Sequence, residues 1–155
     1  SEKNCQREYL IGNPQNAVAI TKNDSGEEST VQYFFSLQDA IDTATISGKE
    51  IYVVKDFTAS YPITIRENAN IVINLGGFDS QTGNTFTNNG TRSLLYTEST
   101  ELINLKGGDW TGKSTYPFNN KSNGGKDYIK VYGGTYKKNT NGTLTDYNVS
   151  AYRVN

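Results

Sequence analysis

Residues 104–114 read NLKGGDWTGKS, and the fold turns on what this stretch is. Gly107 to Ser114 satisfies the phosphate-binding pattern G-x-x-x-x-G-K-S/T, and the apolar run Leu102-Ile103-Asn104-Leu105 stands where a strand would precede it. A phosphate loop must open a helix, because the free amides of the helix's first turn hold the phosphates. Here Lys113-Ser114 is followed by TYPFNNKSNGGKD, where Pro117 and a run of Asn and Gly leave no apolar helical face. Two sibling segments explain the stretch better. INLGGF (73–78) and KVYGGTY (130–136) also give a strand, a Gly-Gly pair and an aromatic within two residues. The Gly pairs are spaced 31 and then 26 residues apart. Recurrence at roughly 20 to 50 residues marks stacked coils. A Gly pair turns a corner without a Cβ clash, and the aromatic that follows can stack on its counterpart one coil away. NLKGGDWTGKS therefore reads as a solenoid corner.

The surroundings agree. After Gly48 the apolar period is 2, in EIYVVKDF, PITI, NIVINL, SLLY, ELINL, YIKVY and NVSAYRV, each short and rich in β-branched or aromatic residues. About four coils are expected between residues 50 and 155. The steps Asn89-Gly90, Gly124-Gly125 and Asn141-Gly142 also suit hairpins, so a β-sandwich is the competing architecture. One helix is predicted, over residues 36–46. Ser36 is its N-cap, Asp39 completes a capping box, and Leu37, Ala40, Ile41 and Ala44 share one face. Residues 1–32 alternate turn formers with short apolar patches, Tyr9-Leu10-Ile11 and Ala17-Val18-Ala19-Ile20, and read as an extended arm with one or two short strands.

Composition narrows the chemistry. The 155 residues contain no His and one Cys, Cys5, which removes the usual general base, the usual metal ligand and any intramolecular disulfide. Fifteen basic residues against 16 acidic ones supply no surplus for steering nucleic acid or an anionic membrane. The segment SEKNCQREYL lacks the apolar core of a signal peptide, from which assembly in a host cytoplasm is expected. No cofactor, metal, nucleic acid or membrane partner is expected.

The stretch YFFSLQDAIDTATISGKEIYVVKDFTASYPITIRENANIVINLGG (33–77) resembles the opening of right-handed parallel β-helix, pectate-lyase-like modules, and GGTY at 133–136 resembles their corners in bacterial surface proteins and phage fibres. The resemblance covers residues 33 to about 136. It implies an all-β fold, a short right-handed parallel β-helix over residues 33–155, with helix 36–46 capping its first coil and the arm at 1–32 serving anchoring or oligomerisation. It does not fix function, because this architecture hosts lyases, hydrolases, adhesins and virion parts.

The functional expectation is a non-enzymatic structural or attachment protein, a phage virion component such as a head decoration or fibre-like protein. Its arm, through Tyr9, Leu10, Ile11, Val18 and Ile20, would anchor it to a larger assembly, and a homotrimer would suit so short a stack. The alternative is a bacterial cell-surface adhesin or glycan-binding module, located outside the cell, with Trp110, Tyr116 and Phe118 as the aromatic contact. The third reading is a polysaccharide lyase or hydrolase, for which Asp79, Asp109 and Asp127 with Lys106, Lys130 or Arg92 are the candidate groups. They are scattered singly and not in the paired spacings such enzymes use.

Overall fold

Apolar residues two apart lie on one side of a strand, and in this chain that side faces the inside of a coil. The computed structural model describes residues 14–24, 29–47, 50–77, 83–121 and 125–155. Three complete coils each contain three strands. The first has β3 (Glu50–Val53), β4 (Phe57–Ala59) and β5 (Ile63–Ile65). The second has β6 (Ile71–Gly76), β7 (Thr85–Asn88) and β8 (Leu95–Thr97). The third has β9 (Ile103–Gly107), β10 (Asp109–Gly112) and β11 (Phe118–Asn120). A fourth coil starts with β12 (Ile129–Tyr132) and β13 (Thr135–Thr140), then folds back as β14 (Thr143–Asp146). Like strands of successive coils pair in parallel, forming sheet A (β3, β6, β9, β12), sheet B (β4, β7, β10, β13) and sheet C (β5, β8, β11). The chain is a short β-solenoid of about three turns, so the sandwich alternative falls.

Parallel register stacks equivalent side chains into rows. Ile51, Ile73, Leu105 and Val131 form one aliphatic row inside sheet A, and Ile71, Ile103 and Ile129 form another. All seven are buried. Inside sheet B the row is aromatic: Phe57, Phe86, Trp110 and Tyr136. Rings 4.8 to 5.6 Å apart alternate between stacked and edge-on contacts, geometries that add to simple area burial.

In coils two to four the corners between sheets A and B carry the Gly-Gly pairs. Gly76-Gly77, Gly107-Gly108 and Gly133-Gly134 all have positive φ, between 60° and 81°, a conformation that costs an L residue about 1–2 kcal/mol. The corners also touch down the stack. A Cβ on Gly108 would lie 2.4 Å from the Leu75 Cβ, and one on Gly134 would lie 2.7 Å from the Gly107 carbonyl oxygen.

Both ends are covered. Helix α1 (Leu37–Ser47) presents Leu37, Ala40, Ile41 and Ala44 to the first coil, all buried. The Ser36 Oγ accepts from the Asp39 amide at 3.4 Å, as the capping sequence requires. From the same helix Gln38 donates to the Thr64 carbonyl at 2.8 Å and accepts the Thr64 amide at 3.2 Å. A side-chain amide thereby takes the place of a neighbouring strand beside β5.

Strands β1 (Ala19–Asp24) and β2 (Ser29–Phe34) form an antiparallel hairpin that extends sheet A, with β1 against β3. This corrects the expected division at residue 32, which falls inside β2. Ala17, Ala19 and Thr21 point into the core, so β1 and β2 belong to the solenoid and not to a separate arm.

At the far end Asn141 (φ 52°) and Gly142 (φ 90°) make the tight hairpin turn between β13 and β14. The segment NVSAYRV, expected as a strand, is instead an irregular cover. Its Tyr152 carbonyl accepts from Val131, and Val154 donates back to the Val131 carbonyl, both at 2.9 Å.

These contacts separate two kinds of glycine. At Gly142 a Cβ would meet nothing within 4 Å, so Gly142→Ala should cost about 1 kcal/mol from backbone strain alone. Gly108→Ala adds a clash with the Leu75 side chain and should cost about 3 kcal/mol or more. Urea unfolding followed by Trp110 fluorescence measures both, and equal costs would mean that corner contact contributes nothing.

Candidate functional site

Of the three aromatics expected to contact a partner, two are core. Alternation after the Gly-Gly corner turns Asp109 and Thr111 outward and Trp110 inward, where it is 0% exposed. Its indole Nε1 donates to the Gly107 carbonyl at 2.9 Å, tying the ring to its own corner. Phe118 is buried against Tyr136 and Tyr152, edge-on to both. The expected surface role of Trp110 and Phe118 is therefore corrected, while Tyr116 stands 72% exposed.

Tyr116 has a counterpart that sequence reading missed. The segments Ser60-Tyr61-Pro62-Ile63 and Thr115-Tyr116-Pro117-Phe118 occupy the same corner, between sheets B and C, in coils one and three. Ile63 and Phe118 both pair with Leu95, which places Tyr61, Ser93 and Tyr116 at one register. The Ile63 amide donates to the Leu94 carbonyl at 3.0 Å and the Leu94 amide to the Pro117 carbonyl at 2.8 Å, locking the three corners together. Tyr61 is 75% exposed. Two strand spacings separate the two tyrosine backbones, about 9.5 Å. In each case the following proline confines the tyrosine backbone to extended conformations, so an exposed ring sits on a stiff base.

Both tyrosines line a groove of about 1460 Å³ that runs from helix α1 across the outer face of sheet C. Arg92 from the middle corner lines it too, as do Arg66 and Tyr96. Arg66 lies 5.5 Å from the Tyr96 ring centroid and 3.5 Å from Glu98, and the Tyr96 hydroxyl donates to Glu98 at 2.6 Å. That hydrogen bond, with some desolvation and the Glu98 charge, pushes the Tyr96 phenol up, against a smaller opposing effect of Arg66. Arg92 makes no ion pair among the described residues.

The candidate catalytic groups are not brought together. Asp109 accepts the Thr135 hydroxyl at 2.6 Å on the outer side of sheet B, and Lys106 is paired with Glu50 at 3.2 Å on sheet A. Lys130 donates to the Lys126 carbonyl at 3.1 Å, beside the short helical turn that carries Asp127. Asp79 lies outside the described residues. Among the described residues no three acidic or sulfur-bearing side chains cluster as a metal site would need.

The expected anchoring residues divide likewise. Tyr9, Leu10 and Ile11 lie outside the described residues. Val18 and Ile20 alternate with inward Ala17, Ala19 and Thr21, and so face out from β1. Register continues Ile20 into Tyr33 on β2 and Tyr52 on β3, a row across the outer face of sheet A. Val31, Tyr33 and Val54 on this face are 38%, 38% and 44% exposed, and Lys22 sits 4.8 Å over the Tyr52 ring.

Comparison with protein-family models, with curated proteins and with solved structures finds no match to this chain.

One buried group inside the aromatic row is unsatisfied. Tyr136 is 2% exposed, and its hydroxyl has no hydrogen-bond partner among the described residues. Burial pushes its pKa far above the ordinary tyrosine range, with Arg153 opposing weakly. Removing a stranded hydroxyl should help, so Tyr136→Phe is expected to raise stability by about 1 kcal/mol near neutral pH. The buried phenol keeps its proton while the unfolded chain loses it above about pH 10, so wild-type stability falls there as pH rises. Chemical unfolding at pH 7 and pH 11 checks both points: the Phe variant should gain more at pH 11 than at pH 7.

Proposed function

We propose that this chain is a non-enzymatic attachment protein, a virion component of the head-decoration or fibre-like kind, seated on a larger assembly through the outer face of its N-terminal hairpin. The observation that carries this reading is the Tyr33–Ile20–Tyr52 row with Val18, Val31 and Val54 beside it. Apolar and aromatic residues gathered on one otherwise polar molecule's surface favour a protein contact, since aromatics dominate the cores of such interfaces.

The second reading, an adhesin or glycan-binding module of a bacterial cell surface, is favoured by the paired exposed tyrosines Tyr61 and Tyr116. The enzyme reading has the least support, because Asp109 and Lys106 are each engaged elsewhere. Incubation with pectin-like polysaccharides and calcium tests it directly, and product formation lost in Asp109→Ala would restore it.

For the attachment reading, a triple variant Val31→Lys, Tyr33→Lys, Val54→Lys changes only side chains on the outer face. Surface positions of this kind alter stability by about 0.5 kcal/mol or less each. The variant should fold with an unchanged circular dichroism spectrum and no longer co-sediment with the particle that carries the wild type. Retention on the particle would sink the reading. A wild-type mass of three chains in solution, reduced to one by the variant, would assign the face to a homotrimer instead.

A further inference from the structure

Resting on the glycan-binding reading, we propose that the corner between sheets B and C binds an extended acidic polysaccharide lying along the solenoid axis. Sugars two apart stack on Tyr61 and Tyr116, and Arg92 holds the carboxylate of the sugar between them. Three observations converge on this corner. The two tyrosines share one register, are 75% and 72% exposed, and open into the same groove. The strand spacing sets them about 9.5 Å apart. In an extended chain with alternating ring orientation, sugars two apart present the same face, and the two-sugar repeat is of this length.

The middle corner supplies the selectivity. Ser93, at the tyrosine register in coil two, is buried, so no ring blocks the space between the platforms. Arg92 beside it is exposed, lines the groove and has no acidic partner among the described residues. A guanidinium offers only donors, in a planar fork that matches a carboxylate. A proline-rich peptide is the rival occupant, because its three-residue repeat of about 9.3 Å is similar. Such peptides sit in slots between adjacent aromatics, whereas these two rings stand singly on separate coils.

The test is calorimetric titration of the full chain with hyaluronan oligosaccharides, neutral cello-oligosaccharides and a polyproline peptide. The expected result is binding of the acidic hexasaccharide, at least tenfold weaker binding of the disaccharide, and little binding of the other two. Tyr61→Ala and Tyr116→Ala should each weaken the hexasaccharide about tenfold or more. Arg92→Ala should abolish the preference over the neutral chain, and Tyr33→Ala on the outer face of sheet A should change nothing. Trp110 fluorescence verifies that each variant is folded. Equal binding of neutral and acidic chains overturns the proposal while leaving a glycan-binding module in place. Binding of the peptide alone, or of no ligand at all, overturns the glycan reading with it, and leaves docking through the hairpin face to stand on its own test.

Discussion

The structure depends on backbone-to-backbone contact at the corner between sheets A and B. Parallel coils hold their register only if every corner rises by the same height as the strands it joins, about 4.8 Å. Here the corner backbones sit directly on one another. The Gly108 amide donates to the Gly76 carbonyl at 2.8 Å, and the Thr135 amide donates to the Gly108 carbonyl at 2.9 Å. At Gly108 and Gly134 no Cβ fits, and the left-handed φ of each pair excludes most other residues on conformational grounds as well. Two independent restrictions thus fall on the same corner. Everything outside depends on this spacing, including the aliphatic rows, the aromatic row and the two tyrosines that share a register two coils apart.

That dependence explains which parts of the fold were legible in the chain. A Gly-Gly pair is rare enough that three of them, each after a strand, reveal the coil repeat, and period 2 then identifies the inward rows. The helix was legible because Ser36 and Asp39 bracket its start and four apolar residues share a face. The direction of Trp110 was not legible. It depends on which residue after the glycines is the first to alternate, and the corner geometry that decides this has no signature of its own. The aromatic row shows the same limit. Its member in coil two is Phe86, eight residues further along than Phe78, the aromatic beside the first Gly pair, which lies outside the described residues.

Sequence reading also missed the Tyr-Pro pair, for a different reason. The two segments recur after 55 residues, which is two coils, with Arg92-Ser93-Leu94 standing in the coil between. A search for single-coil repeats passes over a feature that skips a coil. The boundary at residue 32 failed on side-chain size. Val18 and Ile20 read as an isolated apolar patch, but Ala17 and Ala19 between and before them are the residues that bury, and small side chains give a weak pattern. Alternation of Ala with Val and Ile describes a strand packed closely by its small residues, leaving the larger ones outside.

Both kinds of corner absorb connections of different length: between sheets A and B they hold three, eight, one and two residues in coils one to four. Between sheets B and C the connecting loops hold three, six and five residues in coils one, two and three. Yet the Leu94 backbone joins its neighbours on both sides through ordinary hydrogen bonds, at 3.0 and 2.8 Å. Extra residues at this corner therefore bulge outward and leave the strand rows undisturbed. The corner between sheets A and B likewise leaves the strand rows undisturbed in coil two, where the Asn84 amide returns to the Leu75 carbonyl at 2.8 Å and the Asn84 carbonyl accepts from Asp109 at 3.0 Å after the longest connection. Within the corner between sheets B and C, Gly90 approaches the Ser60 carbonyl too closely for a side chain, and Ser93 and Leu94 are buried, so the freedom to vary falls on the outward positions, where the two exposed rings and Arg92 stand.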